Sequence, residues 1–258
     1  MKPVDGAALD LPVEIREIIG GAALFESSGA SGAQTLFAAR GGGMYLKLAP
    51  AGMLRQHALM QIFYAEHGLS SALVCYCMAD RDYLLVSALD GADGTQALHC
   101  ASPERLSTAF GQALRRLHET DTADCPVRDG MGALLSPVPG TPFLQSHLDM
   151  LAPYIGAASA LTAAAEIQKR SGLLQNDVVM HGDYCLPNIM LKDWALSGFI
   201  DLGGSGLGDR HYDLAWGLWT LCYNLKTPVY GTRFLDAYGR DKIDGDRLRV
   251  CGLLAAME

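Results

Sequence analysis

The chain contains no run of about 18 uninterrupted apolar residues, the minimum for a membrane-crossing helix, among its 258 positions. Its start, MKPVDGAALDLPVEI, carries acids and prolines where a secretion signal needs a basic flank and an apolar core, so a cytoplasmic protein is expected. Paired cysteines are missing too. The seven are odd in number and scattered, with no C-x-x-C, which points to reduced thiols. Cys75-x-Cys77 falls at strand spacing and reads as two side chains on one face, not as a metal clip. Basic residues are in deficit: 20 Lys and Arg against 28 Asp and Glu leave a net charge of −8. Nucleic acid, which needs clustered Lys and Arg, is not an expected partner, whereas a cationic ligand is tolerated. Disorder is excluded because half the residues are apolar.

What is present reads as a sheet-rich lobe followed by a helical one. "AQTLFAAR", Gly41-Gly42-Gly43 and "MYLKLAP" predict two strands around a tight turn. Leu54, Ala58, Ile62 and Ala65 recur at helical period, with Gly68 as the stop. "ALVCYC" and "DYLLVSAL" add strands, so the first third reads as a small antiparallel sheet with one helix. After "DGADG", Ser102-Pro103-Glu104 opens a helix with a hydroxyl cap, and Leu106, Phe110, Leu114 and Leu117 mark its buried face. Residues 143–170 read as one or two alanine-rich helices, and further helices are expected over 212–225 and 246–257. The fold class is therefore α+β, as a sheet lobe over 1–88, a hinge over 89–93 and a larger, mainly helical lobe over 94–258.

The chemistry concentrates in "HGDYCLPN", residues 181–188, directly after the apolar run Val178-Val179-Met180. Asp183 and Asn188 lie five apart in a loop leaving a strand, and Asp201 ends the run "GFI" thirteen residues later. If the short strands between them pair as a hairpin, a carboxylate, an amide and a second carboxylate meet at one mouth. Oxygen ligands of that kind suit Mg²⁺, with one acid left to handle a substrate proton. Phosphoryl transfer also requires a lysine on the phosphates, and Lys47 in "MYLKL" stands where a strand lysine should. Two absences narrow the acceptor: no G-x-G-x-x-G precedes Lys47, and no A-P-E follows Asp201. A peptide-binding activation segment has no room, so a small hydroxylated molecule is expected. A P-loop is missing as well.

"VVMHGDYCLPNIML", "LSGFIDLGGSGLGDRHYDLAW" and the spacing of "YLLVSALDGADG" to "LRRLHETDTADCP" resemble the aminoglycoside phosphotransferases, most closely the 3'-phosphotransferase branch. The resemblance implies a two-lobed, protein-kinase-like fold. It also implies an ATP- and Mg²⁺-dependent enzyme that phosphorylates an aminoglycoside hydroxyl, the 3'-hydroxyl first among candidates, and so confers resistance. By position, Asp183 matches the catalytic aspartate, Asn188 and Asp201 the Mg²⁺ ligands, and Lys47 the lysine on the α- and β-phosphates. Ser31 falls near the phosphate-loop serine, Tyr45 matches the adenine-stacking aromatic, and Ser87 and Leu89 match the adenine-binding hinge. His181 resembles a structural partner of the loop, and Asp209 and Asp213 resemble a helix start and a brace.

Departures from the family are equally legible. An ungapped register puts His57 where a glutamate pairs the lysine. Gly203-Gly204 replaces glycine-arginine after "IDL", and the acidic acceptor-binding segments shrink to Asp149 and Glu258. Two alternatives follow: a kinase of the same fold acting on another small hydroxylated substrate, or a nucleotide-binding protein without catalysis. The protein is expected as a monomer or homodimer.

Overall fold

The computed structural model describes residues 1–6, 9–27 and 33–257. The chain divides into two compact units, Met1–Asp90 and Gly91–Glu258.

The first unit is a six-stranded antiparallel sheet. Its strands are β1 (Lys2–Val4), β2 (Leu24–Ser27), β3 (Gln34–Ala38), β4 (Met44–Pro50), β5 (Leu73–Met78) and β6 (Arg81–Ser87), in the order β1-β2-β3-β4-β6-β5. Strand β4 alternates: Met44, Leu46 and Leu48 are buried, while Tyr45 and Lys47 are half-buried on the other face. Two helices, not the one expected, cover this sheet. Helix α1 (Val13–Ile19) packs Ile15 and Ile19 against the Leu36, Leu46 and Leu85 face. Its signature, Pro12 before, Gly20 after and isoleucines four apart, is short enough to pass for strand-and-turn sequence.

Helix α2 (Arg55–Glu66) lies on the opposite face, Leu54 and Ala58 packing on Ala49 and Leu84. Its buried set overlaps only in part with the one read from periodicity: Leu54 and Ala58 are buried and Ala65 is half-buried. Ile62 is 42% exposed, and Met60, Phe63 and Tyr64 are buried instead. With apolar residues around most of its circumference, the helix offers no single stripe to read. Gly68, in the left-handed region at φ 64°, ends it as expected. Its start is held by Asp82, whose Oδ2 accepts from the Leu54 N–H at 2.7 Å.

The second unit is mainly helical. Helices α3 (Ala97–Cys100), α4 (Pro103–His118), α5 (Gly130–Leu135), α6 (Gln145–Ile155), α7 (Ala160–Arg170), α8 (Arg210–Leu225), α9 (Gly231–Tyr238) and α10 (Gly245–Leu254) surround three short strand pairings. Leu106, Phe110, Leu114 and Leu117 of α4 are buried as the periodicity requires. The Ser102 hydroxyl makes no capping bond, so the start of α4 rests on Pro103 and Glu104 alone.

Strands β7 (Ala92–Asp93), β9 (Ile189–Lys192) and β10 (Ala195–Phe199) form one small sheet, ordered β10-β9-β7. Strands β8 (Val178–Met180) and β11 (Gly206–Gly208) form another. No single helix among the described residues is long and apolar enough to cross a membrane. All seven cysteines are free thiols, and Cys75 and Cys77 both pack against the α1 core.

Candidate active site

Strands β8 and β11 pair antiparallel, Met180 opposite Gly206, and everything between them projects as one loop and hairpin. Val178, Val179 and Met180 are each fully buried, which roots the loop in the core before its first polar residue. The β9–β10 hairpin turns through Asp193 and Trp194, both at positive φ, as a two-residue connection requires. Ile189 then sits opposite Phe199, and the Ile200 N–H donates to the Asn188 carbonyl at 3.0 Å. The pairing thus brings Asn188 and Asp201 to the same open end of the hairpin, the arrangement their spacing suggested.

Asp183 belongs to that end through Asn188, whose Nδ2 donates to the Asp183 carboxylate at 2.8 Å and to its carbonyl at 3.0 Å. Both amide hydrogens are therefore committed, and the Asn188 amide oxygen is the atom left to ligate. Asp201 adopts left-handed backbone geometry (φ 63°, ψ 56°), rare for a residue with a side chain and concentrated at functional sites. It is solvent-exposed, whereas Asn188 is buried.

The loop is immobilised from below. Asp213 of α8, completely buried, accepts from the His181 N–H at 2.7 Å and the Gly182 N–H at 2.9 Å. The Nε2–H of His118 donates to the same carboxylate at 3.1 Å, and His118 Nδ1 lies 2.9 Å from the Tyr238 hydroxyl. Burial, the largest effect on His118, holds its pKa below the usual imidazole value even with Asp213 beside it. A neutral ring fits both contacts, Nδ1 accepting from Tyr238.

His181 is likewise scaffolding. Its Nε2–H donates to the Ile200 carbonyl at 3.0 Å, tying loop to hairpin, and its Nδ1 accepts the Asp183 N–H at 3.3 Å. Asp209 caps α8 by accepting the His211 N–H and is held by Arg247 at 2.8 Å. Hydrogen bonds to His211 keep its carboxyl below the usual range against the effect of burial. Tyr184 anchors the loop apex, stacking on Phe110 and donating to the Phe110 carbonyl at 2.7 Å.

In the first unit, Tyr45 and Lys47 lie two apart on the β4 face covered by α2, with Val86 and Leu84 as their β6 partners. Tyr45 tilts against Phe37 at 5.2 Å. Ser87 ends β6, its N–H bonded to the Ala72 carbonyl, and Leu89 follows, half-buried. His57 is buried on α2. Asp149 is exposed on α6, accepting from Gln145. Ser31 and Glu258 lie outside the described residues.

Residues 25–251 match the family model described as the phosphotransferase enzyme family. The chain belongs to that family. A probable aminoglycoside 3'-phosphotransferase of Lactococcus lactis is 37% identical over 93% of this chain and 92% of its own length. An aminoglycoside 3'-phosphotransferase of Niallia circulans is 30% identical over 73% of this chain and 68% of its own. Among solved structures, aminoglycoside phosphotransferase APH(3'')-Id from Streptomyces rimosus shares the fold at a TM-score of 0.74, covering 93% of this chain and 94% of that one at 24% identity. The phosphotransferase family and the α+β fold expected from the sequence are both shown.

His118 and Tyr238 were not singled out by sequence. The signal available was faint: a histidine and a tyrosine in the last turn of their helices, each ordinary on its own.

Proposed function

We propose that this phosphotransferase moves the γ-phosphate of ATP to a hydroxyl of an aminoglycoside, the 3'-hydroxyl by preference, and so inactivates the antibiotic. The observation that carries the reading is the Asp183–Asn188 pair held at the end of the hairpin that also ends in Asp201. A phosphotransferase acting on an alcohol needs a fixed carboxylate to orient and deprotonate the incoming hydroxyl. Asp183 suits this role, since an ionised carboxylate that accepts one bond from Asn188 keeps lone pairs for the substrate proton.

Mg²⁺ would be held by the Asn188 amide oxygen and the Asp201 carboxylate. No group of three or more His, Cys, Asp or Glu gathers as a metal site among the described residues, so the remaining oxygens would come from phosphates and water. When bound, the ion neutralises phosphate charge during transfer. Residues 1–88 form the nucleotide-binding lobe in this reading, with Lys47 on the α- and β-phosphates, Tyr45 stacked on adenine, and Ser87 and Leu89 holding its edge. Ser31 would serve the phosphates. Residues 89–93 are the hinge, and 94–258 bind the acceptor, Asp149 and Glu258 taking ammonium groups.

Asp183→Asn keeps the Asn188 contact but removes the base. Turnover should fall by at least about a hundredfold while ATP affinity, read by equilibrium dialysis with Mg²⁺, stays within a factor of about two. Unchanged turnover in that variant would sink the assignment.

A further inference from the structure

Helix α2 turns a narrow stripe outward. Arg55, Leu59, Ile62 and Glu66 are all exposed, and at helical period they fall within about 60° of one another around the axis. Leu59 and Ile62 are each 42% exposed, although Ala58, Met60 and Phe63 beside them are buried. The apolar surface continues past the helix. Met53, just before it, and Met78, at the end of edge strand β5, are each 63% exposed. Met78 pairs with Asp82, whose carboxylate takes the Leu54 N–H, so both methionines lie beside the start of α2. An edge strand next to an apolar helix stripe is a combination that a solitary chain ordinarily blunts.

The order of residues along the stripe is self-complementary. Arg55 and Glu66 stand at its two ends, about 16 Å apart along the axis, with Leu59 and Ile62 between them. Both pairs are centred on the same point, between Met60 and Gln61. A twofold axis through that point lays a second α2 antiparallel on the first. Each Arg55 then faces the partner's Glu66, and each Leu59 faces the partner's Ile62. A parallel pairing would instead set arginine on arginine and glutamate on glutamate. Within its own helix neither charge has an opposite charge one turn away, since Leu59 stands four after Arg55 and Ile62 four before Glu66.

We propose that α2 is a homodimer interface, in which two copies of this chain pack their outward stripes antiparallel about a twofold axis. Leu59 and Ile62 form the dry centre, and the Arg55 and Glu66 pairs form the rim that fixes direction. The inner side of α2 covers the sheet face that carries Tyr45 and Lys47, so the contact braces that helix from outside. One helix pair is a small interface, which makes the dimer depend on protein concentration in the micromolar range. The inference is independent of which molecule accepts the phosphate.

The test is sedimentation equilibrium on the full chain over about 1 to 300 µM, with circular dichroism to establish that each variant folds. Wild type should rise from one chain toward two. Arg55→Glu and Glu66→Arg should each raise the dimer Kd at least about tenfold, because each sets like charges together at both ends. An equimolar mixture of those two variants should regain the dimer, since opposite charges then face each other at both ends. Ile62→Asp should abolish association with the rim charges intact. A chain that stays monomeric throughout the range would overturn the proposal. So would a dimer that survives all three substitutions, which would place the contact on another face. Two charge variants that weaken the dimer yet fail to regain it when mixed would overturn the antiparallel arrangement.

Discussion

Asp213→Asn is the sharpest perturbation of the loop that carries Asp183, because it changes one atom in a buried group. The carboxylate serves three donors: the His181 N–H at 2.7 Å and His118 Nε2 at 3.1 Å on one oxygen, and the Gly182 N–H at 2.9 Å on the other. An amide supplies one oxygen. Whichever way it turns, its NH₂ faces a backbone N–H, and at least one donor is left unmet. That costs about 1–3 kcal/mol, and the surviving bonds lose charge assistance, which roughly doubles their strength. The sum is about 2–4 kcal/mol, a fall in Tm of roughly 4–16 °C for a chain of this size. Release of the two amides also frees Asp183 to drift, and about 1 Å of misplacement is worth roughly a hundredfold in rate. Thermal unfolding by circular dichroism and kcat at a temperature where the variant is folded measure the two effects separately. A variant within about 1 kcal/mol of wild type that also keeps its kcat would refute the idea that Asp213 holds the loop.

His118, buried and held neutral, gives the pH dependence a sign. The unfolded chain protonates it near pH 6.5 and the folded chain only below that. Its contribution is therefore complete above about pH 6.5 and is lost as pH falls toward the lower folded value. The urea midpoint should drop between about pH 6.5 and 5, and His118→Gln should flatten that slope; equal slopes would contradict the assignment. Gly182, at φ 82°, has no room for a side chain, since an added Cβ would stand 2.1 Å from the Gly204 carbonyl oxygen. Gly182→Ala should cost about 3 kcal/mol or more from strain and displaced backbone together and impair turnover. Gly172→Ala, with nothing within 4 Å, should be nearly silent by the same urea titration. Glu166 grips Arg249 with two bonds at 2.6 and 2.9 Å, which hold its carboxyl below the usual range. Glu166→Gln should lose about 1 kcal/mol near neutral pH, and chemical denaturation showing no change would mark the pair as neutral.

The hairpin that joins Asn188 to Asp201 was legible because its logic is local. Polar residues at fixed spacing interrupt short apolar strands, and antiparallel pairing leaves few ways to join them. Helix α4 was legible for a similar reason, its leucines and Phe110 repeating without interruption. The misreadings have physical causes as well. Helix α1 is seven residues long, too short for a period to declare itself, and α2 carries apolar residues around most of its circumference, so periodicity placed Leu54 and Ala58 correctly but put Ile62 on the buried face. The Ser102 cap failed because a hydroxyl in the right place need not make its bond when proline and glutamate already start the helix. Contacts between distant segments escaped altogether. Nothing near His118 announces Tyr238 or Asp213, and nothing near His147 announces Trp216 and Trp219 of α8, against which it packs, because both meetings are set by tertiary packing.

The central claim, transfer of phosphate to an aminoglycoside hydroxyl, is tested most directly by mass spectrometry. The purified protein would be incubated with Mg²⁺, ATP and a panel of aminoglycosides with and without the 3'-hydroxyl. A single phosphate adduct on kanamycin-like acceptors, absent when the 3'-hydroxyl is missing and absent with Asp183→Asn, is the predicted result. ATP bound with no adduct on any member of the panel would contradict the account.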